Sequence, residues 1–172
     1  VTGNDDKARE AGEILGIEIE RANLELDELQ SMDLRGIVEH KARQAYAQLQ
    51  RPVFVEDVSF EIAAWNKFPG PFIKWLHQTM GYEILCKILG SDRHVDWRVM
   101  YGYFDGKDFI SAESVVAGSI SEAPRAGGWG FDVIFIPNGQ TKTLGELGAK
   151  GKLEFSARTQ ALTKLKDLLG QR

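Results

Sequence analysis

The chain has 172 residues, a formal net charge of −4 and 43% apolar side chains. That is enough apolar content for one sizeable core, and too acidic a balance for a general attraction to nucleic acid or anionic membrane. A single cysteine, Cys86, excludes an internal disulfide or a cysteine-rich zinc site and suits a reducing compartment. No apolar run nears the ~20 residues of a membrane span, and no secretory leader stands at the start. The expectation is therefore one cytoplasmic domain over 1–172 without a nucleic-acid or membrane partner; its opening residue, Val1, reads as the end of a strand.

In chain order, Ala8, Ala11, Ile14 and Leu15 recur at helical spacing, with Asn4 and Asp5 as capping residues and Gly16 as a stop. A second helix is predicted from Asp33 to Gln50, with Leu34, Ile37, Val38, Ala45, Tyr46 and Leu49 on one face. "VFV", Val53 to Val55, reads as a strand buried on both sides and ending at the carboxylates Glu56 and Asp57. "FPGPFIKW" is a rigid corner that feeds a helix from Phe72 to about Leu89. Two β-rich runs, Trp97 to Phe104 and Phe109 to Ile120, are joined by the hairpin signal Asp105-Gly106. "FDVIFIP", Phe131 to Pro137, is one more strand. A last helix buries Ala161, Leu162, Leu165, Leu168 and Leu169 between an N-cap at Ser156 and a stop at Gly170. Interleaved helices and strands make the class α/β or mixed α+β.

Several segments carry candidate chemistry. "TGNDDK" sets Gly3 and Asn4 at a helix start, where free N–H groups favour an anion and Lys7 adds a charge; a solvated surface cap is the plainer reading. "GELGAKGK" is not a P-loop, because Glu146 stands where the first glycine belongs and Leu153 where a magnesium-holding Ser or Thr belongs. "GGWGFDV" is no dinucleotide fingerprint, since Val133 occupies the last glycine position and a strand is expected to follow. Glu56 and Asp57, with Glu28 upstream, offer carboxylates for Mg²⁺, a cation usually held by one or two acids plus water and phosphate oxygens; exposed loop acids are the alternative. The Pro-Gly-Pro corner could aim Phe68 or Lys74 into a cleft or simply stiffen a loop. Trp129 and Phe131 amid glycines could stack on a nucleobase or fill the core, while Asp132 is a poor core filler. Lys150, Lys152 and Arg158 bring local positive charge beside the Ser156 helix start. His40, His77 and His94 show no ligand spacing.

The order of these pieces is more specific than any one of them. "TGN" with Lys7, Glu28 with Gln30, Lys41, "VEDVSF", "FPGPFIKW", "GWGFDVIFIP", Thr143-x-Gly145-Glu146, Lys152 and "SAR" resemble the inosine triphosphate pyrophosphatase family from Thr2 to the last helix. The resemblance implies an elongated two-lobed fold with a central mixed sheet and a nucleotide cleft between lobes. It further implies a homodimer and Mg²⁺-dependent cleavage of ITP, dITP or XTP to monophosphate and pyrophosphate. By position, it implies that Thr2, Gly3, Asn4 and Lys7 hold phosphates and that Glu28 and Asp57 serve the metal. Asp57 would also orient or deprotonate water, with Lys41 beside it. Lys41 and Lys152 would line the polyphosphate or base region. Phe68, Trp129, Gly130, Phe131, Asp132, Ser156 and Arg158 would enclose and read the base. Three departures are visible: Ala157 replaces a histidine that helps recognise the 6-keto group, Val58 replaces threonine and Gly145 replaces alanine. Ala157 removes a base-pocket donor, so the resemblance leaves base preference open. A relative that binds nucleotides without efficient turnover is the alternative of another class, and a nucleic-acid-binding module would need a basic face that the composition does not supply.

Overall fold

The computed structural model describes residues 1–16 and 18–171. Helix α1 (Asp5–Leu15) starts because the Asn4 side chain accepts the Lys7 N–H at 3.1 Å, and it stops at Gly16, whose φ of 70° suits glycine. Helix α2 (Leu34–Leu49) is capped by Asp33 and buries Leu34, Ile37, Val38 and Ala45 of the predicted face together with Ala42, whereas Tyr46 and Leu49 are only partly buried.

Strand β1 (Val53–Ile62) is ten residues long and does not end at the acids: Glu56 and Asp57 lie in its middle. Val53 and Val55 are buried but Phe54 is only partly so, which corrects the reading of a segment covered on both sides. Strand β2 (Pro69–Gly70) pairs antiparallel with β1 through Phe60↔Gly70 and Glu61↔Pro69, so the Pro-Gly-Pro corner folds back as a short sheet edge. Helix α3 (Ile73–Ile88) follows and is broken at Gly81, where φ is 72°.

Strands β3 (His94–Phe104) and β4 (Phe109–Ile120) form the expected hairpin. Its turn is held by Asp105 Oδ1, which accepts the Lys107 and Asp108 N–H groups at 2.9 and 2.8 Å. The strand expected over 131–137 is shorter. Gly130–Val133 is a 3₁₀ turn, and only β5 (Phe135–Pro137) is extended, pairing antiparallel with β4. The sheet order is β2-β1-β3-β4-β5.

Helix α4 (Leu144–Phe155) was not foreseen. Thr143 and Glu146 start it with a capping box, and Gly148 (φ 64°) interrupts it, which hides its apolar period. Helix α5 (Ala157–Gly170) buries Ala161, Leu162 and Leu165, whereas Leu168 is 41% exposed and leaves the expected stripe. No helix among the described residues is long and apolar enough to cross a membrane.

The chain divides into two compact units. One comprises Val1–Asp57, Val99–Ser114 and Arg158–Arg172; the other comprises Val58–Arg98 and Val115–Ala157. The first is centred on Leu34, Val38, Ala42, Ala45, Val53, Val55, Met100 and Phe104. The second is built around aromatic contacts, with Phe60, Trp97 and Phe135 meeting edge to face at 5.1 to 6.1 Å.

Candidate active site

Neighbouring residues of a strand project to opposite faces, so Glu56 and Asp57 acquire different partners. Both partner sets belong to the first unit.

Asp57 meets α2. The Lys41 ammonium lies 2.7 Å from Asp57 Oδ2 and 2.9 Å from Glu28 Oε2, so two carboxylates from separate segments converge on one cationic atom. Burial opposes the Lys41 charge, but Asp57 and then Glu28 outweigh it and raise its pKa. Two carboxylates able to share one cation, with oxygen donors only, fit a Mg²⁺ ion that takes its other ligands from water and phosphate. Among the described residues no group of three or more His, Cys, Asp or Glu side chains converges as a metal cage, so a metal here would rest on those two acids.

Glu56 is the more deeply committed acid. It takes the Lys7 ammonium at 2.8 Å, two Arg158 hydrogen bonds at 2.8 and 3.1 Å, and the Tyr101 hydroxyl at 2.5 Å. Burial alone would push its carboxyl up, but Arg158 and Lys7 overcome this and hold it well below the usual carboxylate range. Burial, then the Glu56 charge, raises the Tyr101 phenol well above its usual value. Around α1, Thr2 Oγ1 accepts the Asn4 N–H at 3.0 Å and the Gly3 carbonyl accepts from Arg21 at 3.2 Å. A Cβ at Gly3 would lie 2.8 Å from Asn23 Oδ1, so the Asn23 amide lies close against that turn.

The second unit gathers the other site residues. Asp132, 2% exposed, accepts the Lys152 ammonium at 2.8 Å and the Trp129 N–H at 3.2 Å. The Lys152 ammonium also lies 5.2 Å from the Trp129 ring centre, a cation–π contact. Phe131 stacks on Phe60 at 4.9 Å. Ser156 is buried beside them in sequence only as the C-cap of α4. Phe68 is 48% exposed, its ring 6.4 Å from that of Trp65. The turn around Trp129 packs tightly on the start of α4: a Cβ at Gly145 would lie 2.2 Å from the Gly127 carbonyl oxygen. That approach accounts for glycine at this position, where the resemblance implied alanine.

The sequence-predicted residues thus fall into three clusters. Glu28, Lys41 and Asp57 form one, Lys7 joins Glu56 in a second, and Trp129, Phe131, Asp132 and Lys152 form a third. Arg158, expected with the base-reading residues, has its guanidinium bound to Glu56 and, at 3.4 Å, to Glu10. Sequence reasoning missed the weight of Glu56, the part of Glu10 and Tyr101, and the aromatic pair His77 and Tyr82 stacked at 4.0 Å. The close pairing of an aromatic and a histidine around Gly81 was the available signal for the last.

The Ham1 family model matches residues 1–168. A dITP/XTP pyrophosphatase of Methanopyrus kandleri is 40% identical over 168 residues, covering 94% of this chain and 89% of its own. An inosine triphosphate pyrophosphatase of Scheffersomyces stipitis is 34% identical, covering 98% of this chain and 95% of its own. Among solved structures, a HAM1 protein from Coxiella burnetii aligns at 25% identity with a TM-score of 0.84, covering 100% of this chain and 97% of its own.

Proposed function

The chain belongs to the Ham1 family, and from that premise we propose that it is a nucleoside triphosphate pyrophosphatase acting on deaminated purine triphosphates. Its substrates are ITP, dITP and XTP, which it cleaves to the monophosphate and pyrophosphate. The observation that carries this reading is the convergence of Glu28 and Asp57 on the Lys41 ammonium, at 2.9 and 2.7 Å. The names of the curated relatives supply the substrate class.

Phosphoryl transfer asks chiefly for positioning and for compensation of charge on the phosphate oxygens. Glu28 and Asp57 would hold a Mg²⁺ ion, which would supply positive charge against the triphosphate. Lys41 keeps its proton at neutral pH and offers a fixed cation to a phosphate oxygen. Asp57 orients the attacking water and accepts its proton. Lys7 and the N–H groups at the start of α1 hold further phosphate oxygens, and Thr2, Gly3 and Asn4 fix that turn. Trp129, Phe131, Asp132 and Lys152 take the base, with rings for its faces and charged groups for its edges. The family resemblance assigns Phe68 and Ser156 to the same base site and implies a cytoplasmic homodimer.

Incubation with ITP, dITP, XTP and the four ordinary triphosphates, with and without Mg²⁺, tests the reading through pyrophosphate release. Release from the deaminated purines, lost on chelation, is the expected result. Nucleotide binding without release from any of them would instead favour a relative that binds without turnover.

A further inference from the structure

Beyond the residues assigned above, and resting on the reading of the Trp129–Asp132 turn as the base site, we propose that Tyr82 is a specificity-determining residue whose phenol O–H donates to a keto oxygen of the bound purine.

The break in α3 comes one residue before this tyrosine. Gly81, at φ 72°, ends the first part of the helix and redirects the chain at Tyr82. The ring is then held from two sides. It stacks on His77 at 4.0 Å with 26° between planes, and it meets Phe131 edge to face at 5.3 Å and 81°. Phe131 is itself stacked on Phe60, so the orientation of Tyr82 is tied to the core of the second unit. Burial lowers the His77 pKa, which keeps that stacking partner neutral at physiological pH.

This packing brings the hydroxyl to the 3₁₀ turn. The Tyr82 oxygen is 4.0 Å from where a Cβ at Gly130 would stand, the only heavy atom within that distance among the described residues other than Gly130 and its two chain neighbours, and glycine leaves the space open. Tyr82 makes no hydrogen bond to the described residues, so a phenol next to a charged turn retains its full donor capacity. Burial, and then the Asp132 carboxylate, push the phenol up to about 12, so the O–H is intact at neutral pH. Asp132 is already engaged by Lys152 and the Trp129 N–H, which leaves Tyr82 as a neutral donor beside it.

The chemistry of the ligand completes the argument. Deamination of a purine replaces an amino donor by a keto acceptor, and a keto oxygen that leaves water on binding needs a donor. A neutral O–H fixed by two aromatic contacts supplies one without the desolvation cost of a further charge.

The test compares the wild type with Tyr82→Phe, which deletes one oxygen and keeps the ring contacts. Calorimetry reads the binding of IMP, AMP and inorganic pyrophosphate, and thermal unfolding reads the fold. The expected result is IMP binding weakened about 5- to 10-fold, with AMP and pyrophosphate affinities and the melting temperature unchanged. Equal IMP affinity in the two proteins, or no IMP binding by the wild type, overturns the proposal. ITP turnover by the wild type is read separately. If turnover is absent while Tyr82→Phe still weakens IMP, the catalytic reading fails and this one stands. If turnover is present while IMP affinity is unchanged, the reverse holds.

Discussion

Arg158 grips Glu56 through two hydrogen bonds, Nε to Oε2 at 2.8 Å and Nη2 to Oε1 at 3.1 Å, with both side chains only 6% exposed. A buried pair of this kind is costly to break from one side, because the remaining charge stays desolvated. Glu56→Gln takes the carboxylate from both Arg158 and Lys7, leaving Arg158 with Glu10 at 3.4 Å. The expected loss is about 3–5 kcal/mol in urea unfolding. The folded pKa of Glu56 lies below its ordinary 4.5, so its contribution is fully present above that pH and drains away as pH falls toward the folded value. Wild-type stability should therefore decline below pH 4.5 more steeply than that of Glu56→Gln. Matching acid limbs for the two proteins would argue against a paired, ionised Glu56.

Glu28 reaches the Lys41 and Asp57 cluster from a segment without regular structure, and its side chain is 41% exposed. Glu28→Gln should fold normally and raise the Mg²⁺ concentration needed for half-maximal pyrophosphate release by about 10- to 100-fold. A titration of rate against Mg²⁺ measures this, and an unshifted midpoint would remove Glu28 from the metal site.

Arg93 stabilises the second unit through backbone carbonyls alone. Its guanidinium donates to Cys86, Leu89, Ile120 and Ser121 at 2.6 to 3.1 Å, tying the end of α3 to the end of β4. Arg93→Met should cost about 3 kcal/mol, since several partly buried carbonyls lose a charged donor together. Chemical denaturation reads the loss, and Mg²⁺ dependence should stay as in the wild type.

Much of this was legible in the sequence where local chemistry decides structure. Asn4, Asp33 and Asp105 act through their own nearby backbone, so α1, α2 and the β3–β4 hairpin follow from residues a few positions apart. Helix α4 was not legible, because Gly145, Gly148 and Gly151 dilute its apolar period and Gly148 interrupts it. The roles of Glu56 and Arg158 were hidden for a different reason. They stand 102 positions apart, and no local pattern announces a long-range ion pair. Lys41, Glu28 and Asp57 were each singled out, but only the fold brings the two acids to one ammonium. Tyr82 escaped notice because Gly81 reads as a flaw in a helix until its positive φ is seen.

The most direct test of the central claim is pyrophosphate release from ITP with Mg²⁺ by the wild type and Asp57→Asn, measured side by side. The substitution keeps the shape of the side chain and removes its charge. The account expects turnover by the wild type and a fall of about 10²- to 10⁴-fold in the variant, with the fold retained. An undiminished rate in Asp57→Asn would contradict it.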